Sequence, residues 1–104
     1  KSPHRGIDIA AEKGSRVIAC NGGIVIHAEN DLYYTGGTII LDHGHGVKSI
    51  YAHLSSVDVV LNQQVSRNGI IGKVGSTGRS TGPHLHWGVM VFDTYVDPLL
   101  LKYN

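Results

Sequence analysis

Two histidines stand one residue apart in the stretch "STGPHLHWG", which covers residues 80–88 and enters an apolar, strand-like segment. Side chains on a strand alternate between its two faces, so His84 and His86 are predicted to point to the same side. Leu85 and Trp87 then face the other side, which suits packing against a core. Imidazoles bind metal ions and exchange protons near neutral pH, although the pair also fits a plain solvated face.

A carboxylate occupies a comparable position near the start of the chain. In "HRGIDIA" the alternation of Ile7 and Ile9 turns Asp8 to the opposite face of the predicted strand, and His4 lies four residues before Asp8. Such an aspartate is either solvated or held by a partner, and surface exposure is the commoner case.

A third polar-face histidine is predicted in "VKSIYAHLS". Period-two alternation groups Ser49, Tyr51 and His53 on one face and leaves Ile50 and Leu54 on the core face. If the polar faces of the three strands belong to one sheet, five side chains converge, namely His4, Asp8, His53, His84 and His86. Such a set has the composition of a catalytic zinc centre, in which three ligands hold the ion and leave a position for water. The remaining histidines would serve as proton donors or acceptors.

A second His-x-His pair, His43 and His45 in "LDHGHG", is flanked by glycines. This composition predicts a hairpin turn with poorly defined side-chain directions, so His43 is expected to have at most a supporting role. The stretch "CNGGIV" predicts another hairpin turn. Its cysteine, Cys20, is the only one in the chain and is expected to be a small buried hydrophobe.

The elements that must position these residues are short runs rich in Ile and Val, bounded by Gly, Asn, Asp or Ser. No window shows a convincing helical period. The predicted strands are residues 6–10, 16–19, 24–28, 38–42, 47–54, 70–74 and 85–92. They indicate an all-β fold with a compact, mainly antiparallel sheet, and the longer connections 29–37 and 75–83 are candidate walls of an open groove.

Length and composition are those of one globular domain, residues 1–104, with 41% hydrophobic residues and a formal net charge of +1. Lys and Arg are dispersed, so no nucleic-acid partner is expected. No stretch approaches the roughly 20 apolar residues of a membrane-spanning helix. The chain opens without Met, and we expect it to derive from a longer precursor with a possible upstream regulatory segment.

Four segments in this order resemble the lysostaphin/LytM-type zinc metallopeptidases, which cut peptide cross-links in bacterial cell walls: "HRGIDIAA", "YAHLS", "IGKVGSTGRSTGPHLHWGV" and "VDPLL". The resemblance covers nearly the whole chain. It implies that His4, Asp8 and His86 bind Zn²⁺ and that His53 and His84 are catalytic histidines outside the ligand set. Many members have Glu where this chain has Gly88, which removes one possible support for the site.

The resemblance implies a zinc-dependent endopeptidase that hydrolyses peptidoglycan stem or bridge peptides through a zinc-activated water. It places the protein in the bacterial cell envelope, either periplasmic or secreted. The groove is expected to be lined by Tyr33, Tyr34, Arg79, Ser80 and Thr81. The alternative is a non-catalytic module of the same fold that binds peptidoglycan or activates other hydrolases, because some relatives have that role.

Overall fold

The computed structural model describes residues 6–32, 36–75, 83–92 and 94–96. The strands in these ranges are β1 (Ile7–Ala10), β2 (Arg16–Ile18), β3 (Gly23–Leu32), β4 (Gly36–Gly44), β5 (Val47–Val57), β6 (Gln64–Val65), β7 (Ile70–Val74), β8 (His84–Val91) and β9 (Thr94–Val96). The described part of the chain contains no helix, and hence none long and apolar enough to cross a membrane. The predicted all-β class is confirmed.

The strands pair antiparallel in one sheet, as predicted, in the order β1-β8-β5-β4-β3-β6. β5 is central, because β4 pairs with one of its edges while β8 and then β7 pair with the other. β2 pairs with β7, and β9 pairs with β8. The sheet therefore brings β1, near the start of the chain, next to β8, near its end.

The core is formed mainly by alternate residues of the central strands, which lie against β2 and β7. Its largest fully buried aliphatic side chains are Ile39, Leu41, Leu54 and Ile71. Burial of each such side chain contributes about 1.5–3 kcal/mol to folding. Trp87 of β8 packs against this cluster from one side. The strand that carries the His-x-His pair is thus anchored to the core through its other face.

The predicted loop over residues 29–37 is wrong in extent. β3 continues to Leu32 and β4 begins at Gly36, with Glu29 opposite Thr38 and an irregular register towards the end of the hairpin. Backbone pairing at the end of a hairpin does not require apolar side chains, so the polar composition of this segment hid the strands. β6 and β9 also escaped prediction, because two or three residues are too few to show a period.

The two predicted turns have different outcomes. In "HGHG", His45 and Gly46 have φ of 54° and 78° and join Gly44 to Val47, which confirms a two-residue hairpin turn. The predicted hairpin at "CNGGIV" is wrong. β2 pairs with β7, whereas β3 pairs with β4 and β6, so this segment crosses between strands that are not neighbours.

Candidate active site

The register between β1 and β8 sorts their side chains onto two faces. Asp8 lies opposite His86, and Ala10 lies opposite His84. Side chains of directly opposed residues project from the same face of an antiparallel pair. Asp8, His84 and His86 therefore share one face, while Ile9 and its partner Leu85 share the other. This arrangement confirms the period-two prediction for both segments.

Asp8 and His86 are in direct contact. Nδ1 of His86 lies 2.8 Å from Oδ1 of Asp8, and Nε2 of His84 lies 3.9 Å from the same oxygen. Two atoms with facing lone pairs repel at 2.8 Å unless a proton or a cation lies between them. The Asp8–His86 pair thus fits either a hydrogen bond or a shared metal ion.

His53 completes a group of three imidazoles. Its ring centroid lies 4.8 Å from that of His84 in an edge-on arrangement and 6.1 Å from that of His86. Four of the five predicted site residues, Asp8, His53, His84 and His86, are therefore neighbours in the structure.

The predicted grouping of Ser49, Tyr51 and His53 on one polar face is wrong. Ser49 and Tyr51 are buried, and Tyr51 lies opposite Trp87 in the register, on the face away from His86. Strict alternation would place His53 there too.

His53 instead has a left-handed backbone, with φ of 65°. Tyr51 and Leu54 both belong to the core although they are three residues apart, so the alternation shifts by one residue between them. A left-handed conformation costs a residue with a Cβ about 1–2 kcal/mol, and such strain concentrates at functional sites. This left-handed kink in β5, rather than the regular alternation of side chains, brings His53 to the other histidines.

Several predicted site residues lie outside the described residues: His4, Tyr33, Tyr34, Arg79, Ser80 and Thr81. Within the described ranges, no three His, Cys, Asp or Glu side chains form a group that would hold a metal ion by itself. Completion of the predicted ligand set therefore depends on His4.

A polar network that sequence reasoning missed lies on the other face of the sheet. Nδ1–H of His43 donates to the Gly22 carbonyl at 2.7 Å, and Nε2 of His43 lies 2.7 Å from Oγ of Ser49. Ser49 Oγ is 3.0 Å from the Tyr51 hydroxyl, which accepts from the backbone N–H of Cys20. His43 is thus held firmly inside β4, contrary to the expectation of a poorly defined direction.

The network changes the acidity of Cys20. Its Sγ lies 3.9 Å from Nε2 of His43. Burial raises the pKa of the thiol, but the hydrogen bonds of His43, Tyr51 and Ser49 outweigh burial and bring that pKa down to about 7. Burial lowers the pKa of His43, but its contacts with Cys20 and the Gly22 carbonyl prevail and raise it above its ordinary value.

The prediction that Cys20 is a small buried hydrophobe is correct only in part, because the residue is half-buried and packs against the core but its thiol also contacts His43. A signal for the network was present in the sequence. His43 stands two residues after Leu41, which is fully buried, and so shares its face.

Proteins of one peptidase family resemble this chain in sequence and fold. The sequence profile of peptidase family M23 matches residues 2–98. The peptidoglycan DD-endopeptidase ShyA of Vibrio cholerae is 40% identical over 90 residues, which is 86% of this chain and 21% of ShyA. The chain thus spans about a fifth of the length of that curated relative.

Solved structures share the fold. A zinc-containing peptidase from Vibrio cholerae superposes with a TM-score of 0.91 at 35% identity, covering 97% of this chain and 31% of the other. The catalytic domain of lysostaphin from Staphylococcus simulans superposes with a TM-score of 0.84 at 36% identity, covering 92% of this chain and 76% of that domain. The resemblance to the lysostaphin type is confirmed, and the chain belongs to peptidase family M23.

Proposed function

We propose that this chain is a zinc-dependent endopeptidase domain that hydrolyses peptide cross-links of bacterial peptidoglycan. The observation that carries the proposal is the convergence of the Asp8 carboxylate with the imidazoles of His53, His84 and His86 on one face of the sheet. The relative named as a peptidoglycan DD-endopeptidase and the neighbour described as a zinc-containing peptidase support the substrate class and the metal.

His4, Asp8 and His86 would hold the metal. One carboxylate and two imidazoles form a donor set that zinc takes in catalytic sites. Nδ1 of His86 and Oδ1 of Asp8 lie 2.8 Å apart, close enough for both atoms to contact one cation. When bound, zinc supplies a Lewis acid that acidifies water and polarises a carbonyl oxygen.

His53 and His84 would move the protons of the reaction. Their rings are neighbours, with centroids 4.8 Å apart, so both would face the same bound peptide. One imidazole would take the proton from the attacking water, and the other would donate to the developing oxyanion or to the leaving amine. Imidazole suits both tasks because it titrates near neutral pH.

The substrate would be a stem or bridge peptide, and the place of action the bacterial cell envelope. We further propose that residues 1–104 act as one catalytic domain. Its substrate groove would be lined by Tyr33, Tyr34, Arg79, Ser80 and Thr81. The groove proposal rests on sequence position: the two tyrosines lie in the connection between β3 and β4, and the other three residues lie in the connection that leads into β8.

Two single substitutions separate metal ligands from proton carriers. We expect His86→Ala to lose bound zinc together with hydrolysis of purified peptidoglycan. His84→Ala should keep its zinc and lose hydrolysis by about 100-fold or more, since general acid–base catalysis contributes about that much. Zinc is measured by elemental analysis of the purified variants. Normal cleavage by His84→Ala would contradict the assigned roles.

A further inference from the structure

We propose that Gly75 is a positioning residue whose backbone holds His53 and His84 side by side. The effect of Gly75 on catalysis rests on the proposed function, but its effect on the positions of the two histidines does not. The geometry that supports it is the meeting of β5, β7 and β8 at a single point of the sheet.

β5 changes its pairing partner at His53. Up to Ala52 this edge of the strand pairs with β8, where Ala52 lies opposite His86. From Leu54 onward the same edge pairs with β7, where Leu54 lies opposite Val74. The end of β7 and the start of β8 therefore meet beside His53, the residue with the left-handed backbone.

Gly75 links the two histidines through its own peptide groups. Its N–H donates to the His53 carbonyl at 3.0 Å, and its carbonyl accepts from the N–H of His84 at 3.3 Å. Gly75 and His84 also form an isolated antiparallel bridge. One residue thus fixes the backbone of His53 on β5 relative to the backbone of His84 on β8.

A side chain does not fit at this position. A Cβ on Gly75 would lie 2.6 Å from the backbone nitrogen of Ser55 and 2.7 Å from its Cβ. A backbone nitrogen and a Cβ are fixed by the backbone of β5, so a change of side-chain rotamer cannot move them away. The hydroxyl of Ser55 also donates to the Val74 carbonyl at 2.9 Å, which holds the end of β7 against β5.

The link explains how the strained conformation of His53 persists. A left-handed residue with a Cβ is stable only when its surroundings determine it by several contacts. The bond from Gly75 to the His53 carbonyl is one such contact on the far side of the kink. Displacement of Gly75 would release His53 and separate its ring from that of His84.

The test compares Gly75→Ala with Gly72→Ala, both in the zinc-loaded protein. A Cβ on Gly72 would also press on backbone, at the carbonyl oxygen of Ser56, but Gly72 pairs with Val17 and Val57 rather than with a histidine. With a soluble cross-linked muropeptide, we expect Gly75→Ala to lower kcat about 100-fold with KM little changed. Gly72→Ala should lose stability and keep kcat per folded molecule.

A second readout is independent of activity. The nuclear Overhauser effect between ring protons of His53 and His84 should weaken in Gly75→Ala and persist in Gly72→Ala. Persistence of this signal in Gly75→Ala, or equal loss of kcat in both variants, would overturn the proposal. If the wild type cuts no muropeptide, the proposed function is contradicted. The role of Gly75 is still tested by the nuclear Overhauser effect between His53 and His84.

If Gly75→Ala does not fold, Ser55→Ala replaces it. This substitution removes one of two hydrogen bonds to the Val74 carbonyl, the other being donated by the N–H of Gly14, and adds no volume. We expect a weaker ring signal and a lower kcat. An unchanged signal with an unchanged kcat would overturn the proposal.

Discussion

The four described site side chains reach one face of the sheet by two routes. Asp8, His84 and His86 follow the ordinary alternation of paired strands. His53 arrives through one left-handed residue that shifts the alternation of β5. The relative position of the His53 and His84 rings therefore depends on the backbone where β5, β7 and β8 meet as well as on the side chains.

At the same scale, the network behind the sheet makes stability depend on pH. The Cys20 thiol has a pKa of about 7 in the folded chain, compared with an ordinary value of 9.0. Because the folded-state pKa is the lower one, the thiolate stabilises the fold fully above about pH 9. This contribution declines as pH falls from about 9 to about 7 and is absent below.

We therefore expect the free energy of unfolding of the wild type to increase relative to that of Cys20→Ser as pH rises from about 7 to about 9. The gain in free energy of unfolding should be about 1 kcal/mol, which is below the full value of the shift because solvent screens the half-exposed thiolate. Urea unfolding of both proteins across this range measures it. A difference that does not vary with pH would show that the thiol does not titrate as described.

At the scale of elements, the site depends on the docking of β1 onto β8. Gly6, just before β1, has φ of 100°, and a Cβ there would press on the Trp87 carbonyl. The glycine thus permits the close approach that brings Asp8 to His86.

Gly6→Ala should push β1 away from β8 and weaken zinc binding by about 10-fold or more, as expected when the support of a ligand is lost. Gly14→Ala is the matched control, because Gly14 has φ of 91° but a Cβ there would have no atom within 4 Å. Titration of zinc against a competing chelator compares the two variants. Equal affinities would mean that the contact with Trp87 does not position Asp8.

Period two was sufficient to predict the faces of β1 and β8, because the two strands pair without a register shift and their side chains alternate regularly between the two faces. It failed for β5, where Ser49 and Tyr51 are buried polar residues and His53 breaks the alternation. No local pattern indicates that a strand changes its partner, since the change is made by β7 and β8 rather than by β5 itself. Likewise, the composition of "CNGGIV" predicts a change of chain direction but does not indicate whether the strands on its two sides pair with each other.

At the scale of the whole molecule, the site joins the two ends of the chain. Asp8 and His86 are 78 residues apart in sequence. The Cα radius of gyration is 12.4 Å, close to the roughly 13 Å of a compact domain of about 100 residues. The core is built from strands that lie between these two residues, so we expect the two proposed ligands to meet only when the sheet has formed. Metal binding is therefore expected to report on the integrity of the entire fold.

The proposed function requires that this sheet binds zinc and that the zinc-loaded protein hydrolyses peptidoglycan cross-links. The most direct measurement is mass-spectrometric analysis of muropeptides from purified sacculi digested with the zinc-loaded protein, the chelator-stripped protein and His84→Ala. We predict that only the zinc-loaded wild type converts cross-linked dimers into monomers with new amine and carboxyl ends. Dimers left intact by the zinc-loaded wild type would contradict the claim and favour a non-catalytic module of the same fold.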